Sequence, residues 1–497
     1  MFPASADPSR VLHLFRESLE TNDPRGWIAD GIIGNDLVFE GIFESRRFLY
    51  ADYVAPGRPI KQVEEFISTH VLPLYANPHT EASYCGTYST RLRLSARRVI
   101  GSLTNSDSRH AVIFCGSGAT AALNRLVTLL GSSEQSRAHL NLVSKLLGRD
   151  RRKRVRVILG PYEHHSNILP WRESGAEIIE LDEAPGGGPD LTQLEHVLVD
   201  SAQCFRVICS FSAASNITGI TANVVAATRL AKSAGAVMVW DYAGGAPYLD
   251  INMMPEVGLE IDAIALSPHK FVGGPGASGV LIVRREAVVS SRPAIPGGGT
   301  VKFVSSSVHD YLDNLEDREE GGTPNYIGDV RAALAFLVKD AIGVDFMVRR
   351  NEELTRRAIA AWKDVSRLEL LGSLAAPRLP IFSFLVRAPQ GGYVHPQLVT
   401  RILSDRYGIQ ARGGCACAGP YAHHLLAISP SESAQLRREI LAGNEENKPG
   451  FTRINLSVLM SEEKIRFILE SIAALPDEVT RLQRYYRINS ENGLFER

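Results

Sequence analysis

Cysteine is scarce in this chain: six in 497 residues, at positions 85, 115, 204, 209, 415 and 417. Thiols so few and so spread cannot staple a disulfide scaffold, and they fit a reducing compartment. Net charge is nearly absent too, with 54 basic against 55 acidic side chains leaving −1. General binding to nucleic acid or a membrane surface draws on a basic excess that is missing here. No apolar run approaches the ~18 residues of a membrane-spanning helix. The start, MFPASADPSRVLHLFRESLE, lacks the cationic opening and apolar stretch of a signal peptide. Internal repeats and low-complexity tracts are missing as well. These absences predict a cytoplasmic globular protein with no nucleic-acid and no membrane partner. At ~100–200 residues per domain, the length predicts two to four domains.

What is present is an alternation. Between about residues 100 and 285, short apolar runs predict strands at Ala111–Cys115, Val155–Leu159, Glu177–Leu181, Arg206–Phe211, Ala236–Trp240, Asp262–Leu266 and Gly279–Val283. None alternates cleanly with polar residues, as expected of strands covered on both faces. Helical stretches fill gaps at Ala119–Leu130, Leu191–Asp200 and Asn223–Ala234, which predicts an α/β domain around a mostly parallel seven-stranded sheet. From Tyr326 the texture changes to a long connecting helix, Ile327–Trp362, then strands at Ile381–Val386 and Thr452–Ser457 and a terminal helix Ser461–Leu482. That is read as a smaller α+β domain. The expected organisation is an accessory segment over 1–47, a large domain over 48–335 and a small C-terminal domain over 336–497. In the first segment Val11, Leu12, Phe15 and Leu19 form one apolar helix face, followed by a turn-rich stretch Thr21–Asp36. The basic run Arg149–Arg156 reads as a solvated helix end before a strand rather than a nucleic-acid patch.

Ligands of open parallel sheets bind at the carboxyl ends of strands. After Ala111–Cys115 comes Gly116-Ser-Gly-Ala-Thr-Ala121, opening a helix. Small residues there let backbone N–H groups and the helix N-terminus meet an anion. The string also satisfies a dinucleotide fingerprint, but the acid wanted about 20 residues on is replaced by the polar loop Gly131–Ser136, so a single phosphate is favoured. Strand Ala236–Trp240 runs into Asp241, an acid that desolvation penalises unless a cation partners it. Strand Asp262–Leu266 leads into Ser267-Pro-His-Lys270, where a lysine boxed in by a Gly/Pro-rich loop can lose its proton and attack an aldehyde. A carboxylate on one strand end, a lysine on the next and a phosphate turn on a third match pyridoxal 5′-phosphate.

With these motifs, together with Glu163-His-His-Ser-Asn-Ile-Leu-Pro-Trp171 and Ala214-Ser-Asn-Ile-Thr-Gly219, the chain resembles class V aminotransferases over roughly residues 48–475. The resemblance is nearest to the cysteine desulfurase and selenocysteine lyase branch, and it implies the fold of type I pyridoxal-phosphate enzymes. It implies that Lys270 binds the cofactor's aldehyde, that Asp241 pairs with its ring nitrogen and that His164 stacks on the ring. On the bare residues, His164 also reads as a core histidine. Gly118, Ala119, Thr120, Ser267 and His269 would bind phosphate, with Asn216 near the phenolic oxygen. Thr323, in Glu320-Gly-Gly-Thr-Pro-Asn325, is similar to a residue that serves the other subunit's phosphate site, so a homodimer is expected.

A second cluster is Arg412-Gly-Gly-Cys415-Ala-Cys417-Ala-Gly-Pro420. Its residues alone allow a metal site with His423 and His424, a structural or redox thiol pair, or a nucleophilic cysteine. The resemblance puts the desulfurase cysteine at Cys417, and the Cys-x-Cys form is similar to the loop of molybdenum-cofactor sulfurases. It implies cleavage of the C–S bond of L-cysteine or a related amino acid to alanine, a persulfide on Cys417 and a sulfur-acceptor protein. Arg453 reads either as a surface ion pair or as a clamp for the substrate carboxylate, with Arg412 and Asn216 beside it in that role. Departures from the family are Gly244, where a glutamine is common, and the absence of an arginine in Asn77–Glu81. Additional segments lie at 301–316 and 429–449. Other readings are a class V aminotransferase, epimerase or C–S lyase without persulfide chemistry, a dinucleotide enzyme, or a non-catalytic binding protein retaining the fold.

Overall fold

The structure is a computed structural model that describes residues 7–78, 80–132, 155–446, 448–489 and 494–496. His79 and the basic residues 149–154 lie outside the described residues. The chain divides into two compact units. The first comprises Met1–Gly31, Pro56–Ala213 and Ala222–Val344; the second comprises Ile32–Ala55, Ala214–Thr221 and Asp345–Arg497. The expected accessory segment is thus shared between them, and the change of unit in the connecting helices falls at Val344/Asp345 rather than at 335/336.

The first unit is built on seven strands: β1 (His110–Cys115), β2 (Val155–Leu159), β3 (Glu177–Glu180), β4 (Arg206–Ser212), β5 (Val237–Asp241), β6 (Ala263–Leu266) and β7 (Gly279–Arg284). They match the seven expected strands to within one residue at each end. The order across the sheet is β1-β7-β6-β5-β4-β2-β3, with only β7 antiparallel to its neighbours. Every residue of β1 and β6 is buried. Such two-sided cover is why these strands read as unbroken apolar runs. A parallel arrangement puts the ends Cys115, Leu159, Ser212, Asp241 and Leu266 on one edge of the sheet, where the candidate motifs follow them.

Three helices cross over this sheet: α3 (Gly118–Leu129), α4 (Leu191–Asp200) and α5 (Val224–Ser233). Asp190 and Asn223 cap α4 and α5 by accepting from backbone N–H groups of their first turns. The N-terminal helix α1 (Pro8–Leu19) buries Val11, Leu12, Phe15 and Leu19 against α2 (Tyr84–Leu103) and α6 (Tyr326–Ile342). Phe15 meets Phe66 edge-on at 5.3 Å. The stretch expected to be turns after α1 contains one short helix, Pro24–Asp30, with proline at its first position and Asp23 accepting from the Gly26 N–H. The single long helix expected over 327–362 is two, α6 and α7 (Val344–Trp362), because Gly343 takes φ +88° between them. The additional segment near 301 forms a hairpin, Val301–Val304 paired with His309–Tyr311.

The second unit holds a four-stranded antiparallel sheet in the order β8 (Leu368–Leu370), β9 (Ile381–Val386), β11 (Phe451–Asn455), β10 (Arg412–Gly414). Leu49–Tyr50 pairs in parallel with Ile409–Gln410. Helices α7, α8 (Pro396–Tyr407) and α9 (Glu462–Leu482) pack on it around a core that includes Trp362, Phe382, Ile454 and Ile468. The additional polar stretch carries the helix Pro430–Leu441, opened by a capping box of Ser429 and Glu432. Trp362 is fully buried, meets Phe382 edge-on at 5.1 Å and donates its indole N–H to the Leu469 carbonyl at 3.0 Å. Replacing Trp362 by alanine should therefore cost about 3–5 kcal/mol in denaturant unfolding. A loss below about 1 kcal/mol would show that this core is not organised around the ring.

Candidate active site

The candidate phosphate turn of the first unit lies where β1 runs into α3. Gly118 opens the helix at φ +59°, the left-handed region that glycine enters without steric penalty. A Cβ at Gly118 would lie 2.7 Å from Ser267 Oγ and 2.7 Å from His269 Cε1, so glycine is what lets the 116–120 turn and the 267–270 turn meet. The Ala119 N–H donates to Ser267 Oγ at 2.9 Å, leaving the hydroxyl proton of Ser267 to point elsewhere. Thr120 is exposed, and its hydroxyl lies 2.7 Å from that of Ser166. Burial first, and the charge of Lys270 second, push the His269 imidazole down to about 4, so it is neutral at physiological pH.

Asp241 closes β5. It is 4% exposed, and its Oδ1 accepts the Ala243 N–H at 2.7 Å. Burial raises its pKa, while the Ala243 N–H and the charge of Lys270 act in the opposite direction. Lys270, half-buried at the end of the short turn Pro268–Lys270, is thus electrostatically coupled to the carboxyl on the neighbouring strand.

His164 follows β2. Its Nδ1 accepts the Ser166 N–H at 3.1 Å, which leaves the ring proton to Nε2 and fixes the ring's attitude. Ser166 Oγ lies 3.0 Å from the same nitrogen, so one hydroxyl bridges His164 and Thr120. Beneath them is a buried network in which Glu163, Asn167 and Trp171 of the quoted motif take roles that the sequence alone did not assign. Glu163 accepts from the Ser212 N–H and Oγ, both at 2.8 Å, and from Asn167 Nδ2. Asn167 Oδ1 accepts from the Trp171 indole at 3.0 Å and from Ser210 Oγ at 2.6 Å. Trp171 can only donate, so it fixes which way the Asn167 amide faces. Ser212 pairs in register with Asp241, and Glu163 thereby ties the His164 turn to the strand end beside the carboxyl. Burial pushes Glu163 up to about 8 against the pull of these donors, with Asp241 adding to the rise.

Thr323 is exposed, in a loop held from behind by Glu320. Glu320 accepts from Arg93 at 2.6 Å, from Arg97 at 2.8 Å and from the Phe114 N–H at 2.6 Å. Phe114 belongs to β1, two residues before the Gly116 turn.

The second unit carries the cysteine cluster. Cys415 and Cys417 are half-buried free thiols. Ala416 and Cys417 take φ 51° and 56°, and the Ala418 N–H reaches back to the Cys415 carbonyl at 3.4 Å. Positive φ at both central positions is the pattern of a type I′ turn, normally made with Gly, Asn or Asp. An alanine and a cysteine there cost roughly 1–2 kcal/mol each. Asn216 Nδ2 donates to the Ala416 carbonyl at 2.8 Å, while Asn216 Oδ1 is buried without a hydrogen-bond partner among the described residues. Arg453 is 2% exposed; its Nη1 donates to the Asn216 carbonyl at 2.9 Å and its Nη2 to Asp52 Oδ1 at 2.6 Å. Asp52 was not singled out from sequence, although an acid directly after the short apolar run Phe48–Ala51 was the available signal. The Arg412 side chain is exposed and makes no hydrogen bond or ion pair with another described residue. Among the described residues no three His, Cys, Asp or Glu side chains are grouped as a metal site, and no helix is long and apolar enough to cross a membrane.

Two observations test whether pyridoxal phosphate fits the first unit. The buried Asp241 carboxyl has a neutral N–H donor but carries a raised pKa, the condition a protonated ring nitrogen would relieve. The close approach at Gly118 brings the helix N-terminus against a serine hydroxyl and a neutral histidine, groups suited to a phosphate. The residues fit the group.

The sequence matches the family model described as "Aminotransferase class-V" over residues 49–466. It is 28% identical over 389 residues to a Streptomyces coelicolor protein named "Probable cysteine desulfurase", covering 76% of this chain and 85% of that one. It is 30% identical over 327 residues to "Probable cysteine desulfurase 2" of Mycobacterium leprae, covering 63% and 72% respectively. Its fold is similar to the apo cysteine desulfurase of Thermococcus onnurineus NA1, with TM-score 0.68 and 22% identity over 86% of this chain and 95% of that one. The Escherichia coli cysteine desulfurase CsdA gives TM-score 0.66 and 21% identity, over 86% and 94%.

Glu163 provides a pH test of the buried network. Its pKa rises from an ordinary 4.5 to about 8 on folding, so in that window the folded protein holds a proton the unfolded chain has released. Its contribution to stability therefore falls as pH rises, by up to about 1.4 kcal/mol per pH unit. Between about pH 5 and pH 8 the thermal midpoint of E163Q should fall less steeply than that of the wild type. Equal slopes would show that Glu163 does not hold that proton.

Proposed function

We propose, on the premise that this chain belongs to the class V aminotransferase family, that it is a pyridoxal-phosphate-dependent cysteine desulfurase. It removes sulfur from L-cysteine or a cysteine-like amino acid, leaving alanine and a persulfide on Cys417. The cofactor's phosphate is assigned to the Gly118–Thr120 turn with Ser267 and His269, its aldehyde to Lys270, its ring nitrogen to Asp241 and its ring face to His164. When bound, the cofactor holds the substrate amine and accepts electron density from the substrate's carbons.

The chain's own groups account for the rest. Asp241 would keep a proton on the ring nitrogen assigned to it, because a buried carboxylate is best stabilised by a cation. Lys270 Nζ moves protons to and from the substrate's carbons as acid and base. Cys417 Sγ, as thiolate, attacks the substrate sulfur. An S–S bond forms as the C–S bond breaks, and the electron pair of the broken bond passes to carbon, which takes up a proton. Cysteine and the enzyme thiol thus become alanine and an enzyme persulfide without an external oxidant, and an acceptor protein then receives the sulfur. The substrate carboxylate is assigned to the guanidinium groups of Arg453 and Arg412, with Asn216 beside them; Arg412 is the more open, since Arg453 is engaged by Asp52. Thr323, exposed in the single chain, suits donation to the phosphate site of a second copy in a homodimer.

The observation that carries desulfuration over the family's other reactions is the presence of Cys417 on a turn held in a conformation its own residues disfavour. In C417S, alanine release from L-cysteine should fall by at least about 100-fold while the cofactor absorbance near ~420 nm is kept. Undiminished alanine release from C417S would exclude the persulfide route and favour a lyase or aminotransferase.

A further inference from the structure

We propose that Asn216 is a positioning residue for Cys417: its side-chain amide grips the Ala416 carbonyl and so holds the thiol-bearing turn in its left-handed form. The inference rests on the desulfurase reading for what the thiol does, and on the second unit's geometry alone for how it is held.

The turn has little to hold it from within. Its closing hydrogen bond, from the Ala418 N–H to the Cys415 carbonyl, is 3.4 Å long. Both central residues carry a Cβ at positive φ, where side chains clash with the backbone. Its N-terminal flank, Gly414 at φ 117°, is itself a conformation that only glycine adopts freely. The Asn216 bond to Ala416, at 2.8 Å, is shorter than the turn's own. Only the amide's NH2 edge can face a carbonyl, so the orientation of Asn216 is fixed.

Asn216 is itself firmly seated. Its carbonyl receives Arg453 Nη1, and Arg453 is anchored by Asp52. The following residue, Ile217, has its carbonyl bonded by Ser383 Oγ at 2.7 Å from β9, and the Gly219 carbonyl takes the Leu379 N–H at 2.8 Å. The route Asp52–Arg453–Asn216–Ala416 thus fixes the backbone next to the nucleophile. Without the Asn216 donor, Ala416 and Cys417 are free to relax to negative φ, and the direction of the Cys417 side chain changes with them.

Thiol alkylation tests this without any turnover. Full-length protein is treated with iodoacetamide, and modification at Cys417 and Cys415 is followed separately by peptide mass mapping. In N216A the Cys417 rate should move by about fivefold or more, the equilibrium shift expected when a left-handed non-glycine turn loses its anchor. N216D, which keeps the size but not the donor, should move it likewise. Adding A416G to either variant should bring the rate back to within about twofold of wild type, because glycine takes positive φ without the steric penalty. A Cys417 rate unaffected by N216A and N216D would overturn the proposal, as would a change that A416G does not reverse. Failure of the desulfurase reading would appear separately, as no alanine formed from cysteine by the wild type.

Discussion

A carboxyl group buried at the end of a central strand is the constraint around which the first unit is arranged. Asp241 sits where desolvation works against its charge, with a backbone N–H at 2.7 Å and the field of Lys270 from the next strand end as compensation. Such a group is stable as an anion only if a cation comes to it. Three contacts order the backbone and side chains around it. The Gly118 turn packs against Ser267 and His269, and Ser166 joins Thr120 to the His164 ring. Glu163 fastens that histidine's turn to Ser212, the register partner of Asp241. The fold thus spends several buried polar groups on fixing the edge of one sheet, which a purely structural sheet would not need.

The second unit meets a different constraint, that of holding Cys417 on a backbone conformation its own residues disfavour. Glycines at 413 and 414 lead into a turn whose central residues are not glycine. The restraint comes from far along the chain: Asp52 and Arg453 are 401 residues apart in sequence and 2.6 Å apart in space. The Arg453 guanidinium is therefore a structural cation as well as a candidate ligand for a carboxylate. The strand pattern offered a surface ion pair or a clamp; the ion pair Arg453 makes with Asp52 is instead buried.

The sheet was legible because strands buried on both faces leave continuous apolar runs, and because Gly116 and Ser267 follow their strands directly while Asp241 ends its own. The two-helix junction was not, since the apolar period of 327–362 runs on through Gly343 and only the backbone conformation there breaks it. The helix Pro24–Asp30 was hidden by a proline that opens it and a glycine within it, residues that otherwise signal turns. Of the candidate residues, Lys270, Asp241, His164 and Cys417 could be singled out from sequence, as chemistry-bearing side chains near strand ends or on a short loop. Partners supplied by tertiary structure could not. Glu163 with Ser212, Glu320 with Arg93 and Arg97, and Asp52 with Arg453 join residues 49, 227, 223 and 401 positions apart, and no local pattern records such pairs.

The central claim is that the amine of Lys270, held in the field of Asp241, is the group that binds the cofactor's aldehyde. Borohydride reduction of the purified protein followed by peptide mapping tests it most directly. The account predicts a phosphopyridoxyl mass on the peptide containing Lys270. Reduction that leaves that peptide unmodified, or that places the adduct on a different lysine, would contradict it.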